Sequence, residues 1–312
     1  MSTAPVLPPG VSLDLTPIAS PYPNLFSQYV SRHALYIYTL RCIPTTIRAG
    51  CVFVHGYGEH IDRYHALMSY FATRGILCFG IDQRGYGKTG LKNTNTWKLG
   101  DSGGRNTVNA DISWMLDQVI GIMTEQGVEE KPVFLFGHSM GGGRVLDYGV
   151  HGHHRDRLRG IVCSAPALSV SDDVPWIKIT VGNALSYILP HATTKANIDP
   201  RLLSHDERVV EEYQASPFNY DVGTLVTLRD IVDIGKEMTS TLASHFTLSV
   251  LVMHGSQDKV CLMKGSKLFV EKCASKDVEF VEKQGMYHEM HHEPGWEDQV
   301  AQVYVDWILK RT

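Results

Sequence analysis

Cysteine is scarce in this chain and follows no paired pattern. There are six in 312 residues, Cys42, Cys51, Cys78, Cys163, Cys261 and Cys273. None forms a C-x-x-C pair, so a redox or zinc-ribbon motif of that kind is excluded. Several sit in apolar, strand-like runs, as reduced buried thiols do in a cytosolic protein. Long hydrophobic runs are also missing. No window of about eighteen consecutive apolar residues occurs, so no membrane-spanning helix is expected. Residues 1–10 have neither a basic flank nor an apolar centre, and no signal peptide is expected. Positive charge is not in excess: the net charge is −4, from 29 Lys and Arg against 33 Asp and Glu. That is no footprint for nucleic acid. Histidine is plentiful, with fifteen, but no ligand set has zinc spacing. His151, His153 and His154 read as a solvated helix end, where cationic side chains suit the dipole. The expectation is a cytoplasmic chain with no metal and no nucleic-acid partner.

What is present is the pattern of a packed α/β protein. Hydrophobic residues make up 43% and charged residues 20%, enough apolar material for a core and too much for disorder. The length fits one large α/β domain with an insertion, or two small domains. Residues 1–24 are proline-rich and read as an extended arm. Residues 26–30 and 35–40 read as an antiparallel strand pair. Short apolar runs at 51–54, 76–81, 133–136, 160–166, 250–253 and 278–281 then read as strands. Helical spacing covers 61–74, 106–126, 264–273 and 296–309. Strands apolar on both faces, alternating with helices, indicate a parallel sheet covered on both sides. Active sites of such sheets lie at the carboxyl ends of the strands. Residues 167–237 break the alternation, are mostly helical and contain no convincing strand. They read as a cap inserted into a single domain spanning 25–312. The first cap helix places Ile177, Val181, Ala184, Leu185 and Ile188 on one stripe, widened by Trp176, Ile179 and Leu189. It is either an ordinary packed helix or a lid facing acyl chains on one side and a lipid surface on the other.

The stretch from Val133 to Gly143 organises the rest. Four apolar residues run into Gly137-His138-Ser139-Met140-Gly141, and helical spacing follows. This is strand, sharp turn, helix, with a serine at the apex. A serine hydroxyl is a poor nucleophile unless held exposed beside a base. Glycines on either side let strand and helix crowd around that apex. The turn also aims the backbone N–H of Met140 and the positive helix end at the place where an oxyanion would form. Taken alone, the motif is equally a glycine-rich turn with an incidental serine.

Its partners remove that reading. In this arrangement the chain order is serine, then an acid, then histidine. Asp258 follows the strand at 250–253, and His288 follows the strand at 278–281. His288 suits proton transfer near neutral pH, with His291 and His292 as nearby rivals. Asp258 would orient the ring. The second oxyanion donor should follow an early strand, which selects the backbone N–H of Tyr57 in His55-Gly56-Tyr57-Gly58.

The motifs His55-Gly-Tyr-Gly-Glu-His60, Asp82-Gln-Arg-Gly85, Gly137-His-Ser-Met-Gly-Gly-Gly143, His254-Gly-Ser-Gln-Asp258 and Tyr287-His288 together resemble the monoacylglycerol lipases of the α/β-hydrolase fold, closest to the yeast and fungal members. The resemblance runs from about residue 25 to the end. It implies hydrolysis of long-chain monoacylglycerols to glycerol and fatty acid, with no cofactor. Separately, the apolar cap helix leads to the expectation that the chain associates peripherally with membranes or lipid droplets through the cap. By the same resemblance Glu59, Arg63, Tyr213 and His291 line the polar pocket for the glycerol head group. Glu59 and Arg63 are alternatively a helix-start ion pair, and Tyr213 a core residue. Cys261 stands where relatives carry a cysteine near the site, either as a reactive thiol or as a silent buried one. Rival readings on the same residues are a lysophospholipase or broader carboxylesterase, acyl transfer to an alcohol, and a non-catalytic ligand-binding member of the fold. Outside the surroundings of Tyr213 the cap matches loosely, which leaves chain-length preference open.

Overall fold

The computed structural model describes residues 25–170 and 176–312. The arm expected at residues 1–24 lies outside them. The strands are β1 (Leu25–Arg32), β2 (Leu35–Cys42), β3 (Ala49–Val54), β4 (Ile76–Ile81), β5 (Val133–His138), β6 (Leu158–Ser164), β7 (Thr193–Thr194), β8 (Gly223–Thr224), β9 (Ser249–Gly255) and β10 (Val278–Lys283). The α-helices are α1 (His65–Ala72), α2 (Gly87–Lys92), α3 (Arg105–Glu125), α4 (Met140–His151), α5 (Trp176–Ser186), α6 (Glu207–Ala215), α7 (Leu225–Met238), α8 (Met263–Lys272) and α9 (Gln302–Leu309).

The eight-stranded sheet has the order β1-β2-β4-β3-β5-β6-β9-β10. Pairings from β4 through β10 are parallel, and β2 alone runs against its neighbours. Every position of β3, β4 and β5 is buried. A strand with helices on both faces has no side left for polar residues, hence the continuous apolar runs. Alternate residues supply two separate cores. Val52, Val54 and Leu135 pack under α3 and α4 with Ile112, Val119 and Leu146. Phe53, Phe134 and Phe136 pack on the other face with Phe71 of α1 and Trp307 of α9.

Between β6 and β9 lie α5, α6 and α7. They accompany a small antiparallel ribbon, β7 with β8, that the sequence reading missed. Two residues per strand leave no alternation to detect. Ile188, expected on the α5 stripe, and Leu189, expected to widen it, fall beyond its last residue, Ser186. The insertion closes over the carboxyl ends of the strands through backbone contacts. Tyr220 N–H donates to the Gly58 carbonyl at 3.0 Å and Thr224 N–H to the Gly100 carbonyl at 3.0 Å. The Tyr220 hydroxyl donates to the Gly85 carbonyl at 2.9 Å. The later half of α7 belongs to the sheet core, where Ile234 and Met238 are buried.

Candidate active site

The apex serine sits in a backbone conformation that side chains rarely adopt. Ser139 has φ 53° and ψ −118° between β5 and α4. Such strain persists only where the surroundings over-determine it. They do so here. A Cβ on Gly137 would run into the Gly141 carbonyl, and one on Gly141 into the Val54 carbonyl. Backbone bonds hold the apex from both sides. Ser139 N–H donates to the Ser164 carbonyl at 3.0 Å, and the Ser139 carbonyl accepts from Ala167 N–H at 2.9 Å.

Asp258 and His288 come from the loops after β9 and β10. The ring Nδ1 of His288 lies 2.7 Å from Asp258 Oδ2. Asp258 Oδ1 accepts from the N–H groups of Val260 at 2.8 Å and Cys261 at 3.0 Å. Burial opposes the ionised carboxylate, but the His288 charge and hydrogen bonds from His254 and His288 outweigh it. The carboxyl is held well below its usual range. Burial likewise opposes the charged His288 ring, and the Asp258 carboxylate overrides it, raising the imidazole above its ordinary value. His288 rests against the ring of His138 at 4.7 Å between centroids. Ser139 Oγ has its hydrogen bond with Cys261 Sγ at 3.8 Å, and among the described residues it makes none to His288. Catalytic hydrogen bonds of this kind are often long before substrate binds. Burial pushes the Cys261 thiol up, and the Asp258 charge adds to this. Cys261 is a buried thiol beside the serine, and its raised pKa favours the neutral form.

Met140 follows Ser139 at the start of α4, and Tyr57, in the loop after β3, packs with Met140. Gly56 N–H is spent on Glu59 Oε1 at 2.6 Å.

Beside this lies a buried ion network. Glu59 and Arg63 are indeed an ion pair at 2.8 Å. Arg63 also grips Glu289 with both terminal nitrogens, each at 2.6 Å. The ring of Tyr213, half-buried on α6, lies 4.8 Å from the Arg63 guanidinium carbon. Burial favours neutral carboxyls, but the Arg63 charge holds both Glu59 and Glu289 below their usual range. Arg63 thus pairs with two carboxylates, and its charge favours their ionised form. His291 behaves oppositely. It is 2% exposed, stacks on Tyr64 at 5.0 Å and meets His138 at 4.9 Å. Both its ring nitrogens are buried without a hydrogen-bond partner. Burial, then the His292 charge, pushes its pKa well down. A neutral imidazole with two idle nitrogens costs stability unless something else satisfies it.

A third group ties the insertion to the loop of His288. Glu293 accepts from Tyr287 N–H at 2.7 Å and lies 2.9 Å from His205 Nδ1. The His205 ring stacks on Tyr287 at 3.7 Å. Glu289 N–H donates to the Leu203 carbonyl at 2.7 Å.

A family model described as Hydrolase_4, serine aminopeptidase S33, matches residues 45–295. The chain belongs to this family. A family relative described as a monoacylglycerol lipase of Mycolicibacterium smegmatis is 31% identical, over 83% of this chain and 87% of that protein. A relative from Schizosaccharomyces pombe is 32% identical over 78% of this chain, but the match spans 63% of its own length. Among solved structures, the monoacylglycerol lipase of Paleococcus ferrophilus is 27% identical. It superposes with a TM-score of 0.77 over 88% of this chain and 99% of that one. The α/β-hydrolase fold expected from the motifs is the fold found. Sequence reasoning missed Glu289, Glu293, His138 and His254 in this family member. Glu289 and His138 each adjoin a residue it had singled out, and that adjacency was the available signal.

Proposed function

We propose that this chain hydrolyses monoacylglycerols through an acyl-serine intermediate, with Ser139, Asp258 and His288 as its triad. The observation that carries this is a histidine–carboxylate pair at a strained serine turn, beside a buried polar cluster whose His291 nitrogens have no protein partner. The printed names of the Mycolicibacterium and Paleococcus relatives support the same substrate class. His288 takes the Ser139 proton as Oγ attacks the ester carbonyl carbon. The backbone N–H groups of Tyr57 and Met140 receive the oxyanion. His288 then protonates the glycerol oxygen as the C–O bond breaks. Water, deprotonated by His288, attacks the acyl-serine and releases the fatty acid. Glycerol hydroxyls would satisfy His291, with Glu59, Arg63 and Tyr213 shaping that pocket. The carboxylates of Glu59 and Glu289 disfavour a phosphate there, against a lysophospholipid.

The test is the initial rate of fatty-acid release from long-chain mono-, di- and triacylglycerol and lysophospholipid. Monoacylglycerol should be turned over at least about tenfold faster than the rest, as expected when a site hydrogen-bonds substrate hydroxyls. Equal rates on all glycerides would discard the head-group pocket, and preferred lysophospholipid would replace the substrate.

Residues 167–237 act as the cap, and α5 with the turn after it carries the lipid contact. Val181 is 51% exposed, Leu185 41%, Tyr187 73%, Ile188 76% and Leu189 54%. Apolar side chains so clustered at a surface mark an interaction site. No helix among the described residues is long and apolar enough to cross a membrane; the exposed apolar side chains of α5 and its turn support peripheral contact with membranes or lipid droplets, on the cytoplasmic side. The double variant Leu185→Asp/Ile188→Asp should lose most vesicle co-flotation yet keep its rate on a soluble short-chain ester. Undiminished flotation would remove α5 from the lipid contact.

A further inference from the structure

His254 lies near the end of β9 and is wholly buried. Its Nε2 is 2.8 Å from the Cys261 carbonyl oxygen and 3.1 Å from Asp258 Oδ2. Both oxygens accept and neither donates, so Nε2 carries the proton. In the neutral ring Nδ1 is then an acceptor, and the Ser266 hydroxyl, 2.8 Å away, donates to it. Ser266 is itself fully buried on α8. With the ring neutral, the tautomer of His254 is set by a helix packed against its own face of the strand.

The consequence falls on Asp258. Its Oδ2 is shared by His288 Nδ1 and His254 Nε2, while Oδ1 takes the N–H groups of Val260 and Cys261. Remove His254 and Oδ2 keeps His288 alone. The Cys261 carbonyl loses its ring partner at the same time, and Cys261 is the residue whose thiol touches Ser139 Oγ. One imidazole thus braces the acid and the neighbour of the serine together. We propose that His254 is a positioning residue of the hydrolytic site, its Nε2–H fixing the carboxylate oxygen that orients His288. This rests on the assignment of Ser139, Asp258 and His288 given above.

The titratable groups around the pair are few. Asp258 and, on β10, Glu282 face His254. Asp258, Glu289, Glu59 and His138 face His288. His138 is pushed down to about 3 by burial and the His288 charge, so it stays neutral through the working range. A shift in the pH profile of a His254 variant therefore reports on Asp258 and His288.

The experiment uses the full chain and three variants. His254→Phe keeps a ring without the donor. His254→Gln keeps an N–H near the place of Nε2. Ser266→Ala leaves the imidazole but frees its tautomer. Labelling of Ser139 by a fluorophosphonate, and kcat and KM on p-nitrophenyl butyrate, are measured across the pH range. His254→Phe should lower kcat and the labelling rate about 10- to 100-fold, the effect of one lost buried hydrogen bond. KM should stay within about twofold, because uniform binding is untouched. The acid limb should move to higher pH, since a carboxylate with fewer donors attracts the imidazolium proton more strongly. His254→Gln should recover most of the loss, and Ser266→Ala should show a smaller loss of the same kind. Wild-type labelling and an unmoved acid limb in His254→Phe would overturn the proposal, as would a His254→Gln no better than His254→Phe. If His254→Phe does not fold, an unchanged profile in Ser266→Ala together with a slow His254→Gln overturns it. Absence of labelling in the wild type would remove the triad assignment and this proposal with it. That outcome is distinct from a labelled wild type with unaffected variants.

Discussion

Ser139→Ala should abolish fatty-acid release from monoacylglycerol, with kcat down by about 10⁴- to 10⁶-fold, the range seen when a serine nucleophile is removed from a triad. Alanine removes the attacking oxygen but keeps the Cβ, and the apex already tolerates a Cβ at φ 53°. The fold should therefore survive, and a melting temperature close to that of the wild type checks this. Substrate should still bind, because the proposed glycerol contacts at His291 and the N–H groups of Tyr57 and Met140 are untouched. A variant that retained more than about a hundredth of wild-type kcat would place the nucleophile elsewhere.

Arg63→Leu should cause the largest loss of stability in the molecule. The guanidinium is the common partner of Glu59 and Glu289, both of them buried, and is itself part-buried. Removing one member of a buried ion set leaves charge uncompensated, at a cost of about 3–5 kcal/mol. The melting temperature should fall by roughly 5–15 °C. The pH dependence should reverse sign as well. In the wild type Glu59 and Glu289 are held below their ordinary values. Their stabilising contribution is complete above the ordinary carboxyl range and is lost as pH falls through the depressed values. Without Arg63, burial dominates and raises both carboxyls. The variant is then worst near neutral pH and gains ground as acid protonates them. Thermal melts of both proteins between about pH 5 and 8 should converge toward the acid end. A constant gap would mean that the network contributes through packing alone.

Much of this architecture could be read from the chain because it is written in short-range pattern. The apolar runs of β3, β4 and β5 announced a sheet covered on both faces. Ser139, Asp258 and His288 stood at the ends of β5, β9 and β10, in the order this fold uses. The clasp of Arg63 on Glu289 left no such trace, because it joins residues far apart in sequence, and a glutamate beside a histidine is unremarkable by composition. His254 was quoted within a motif, yet nothing in its neighbours says that Ser266 on the next helix sets its proton. The ribbon of β7 and β8 is too short for any periodicity. The expected stripe on α5 ran past Ser186 because apolar content continues through Ile188 and Leu189 after the helix has ended.

The seam between the insertion and the loop of His288 has a practical bearing on redesign. Leu203 and His205 are stitched to Glu289, Tyr287 and Glu293, Tyr220 is stitched to the loop after β3, and Thr224 to the segment between α2 and α3. Side-chain hydrogen bonds from Asn183 to Asp233 and from Arg229 to Ser186 attach α5 to α7. Segments from other chains are thus best spliced on the α5 side of β7, keeping Asn183 and Ser186 as anchor points. Splices there exchange the outer apolar surface as a cassette and leave the stitched half as a fixed frame. Cuts made between residues 203 and 224 would unpick the loop that carries His288.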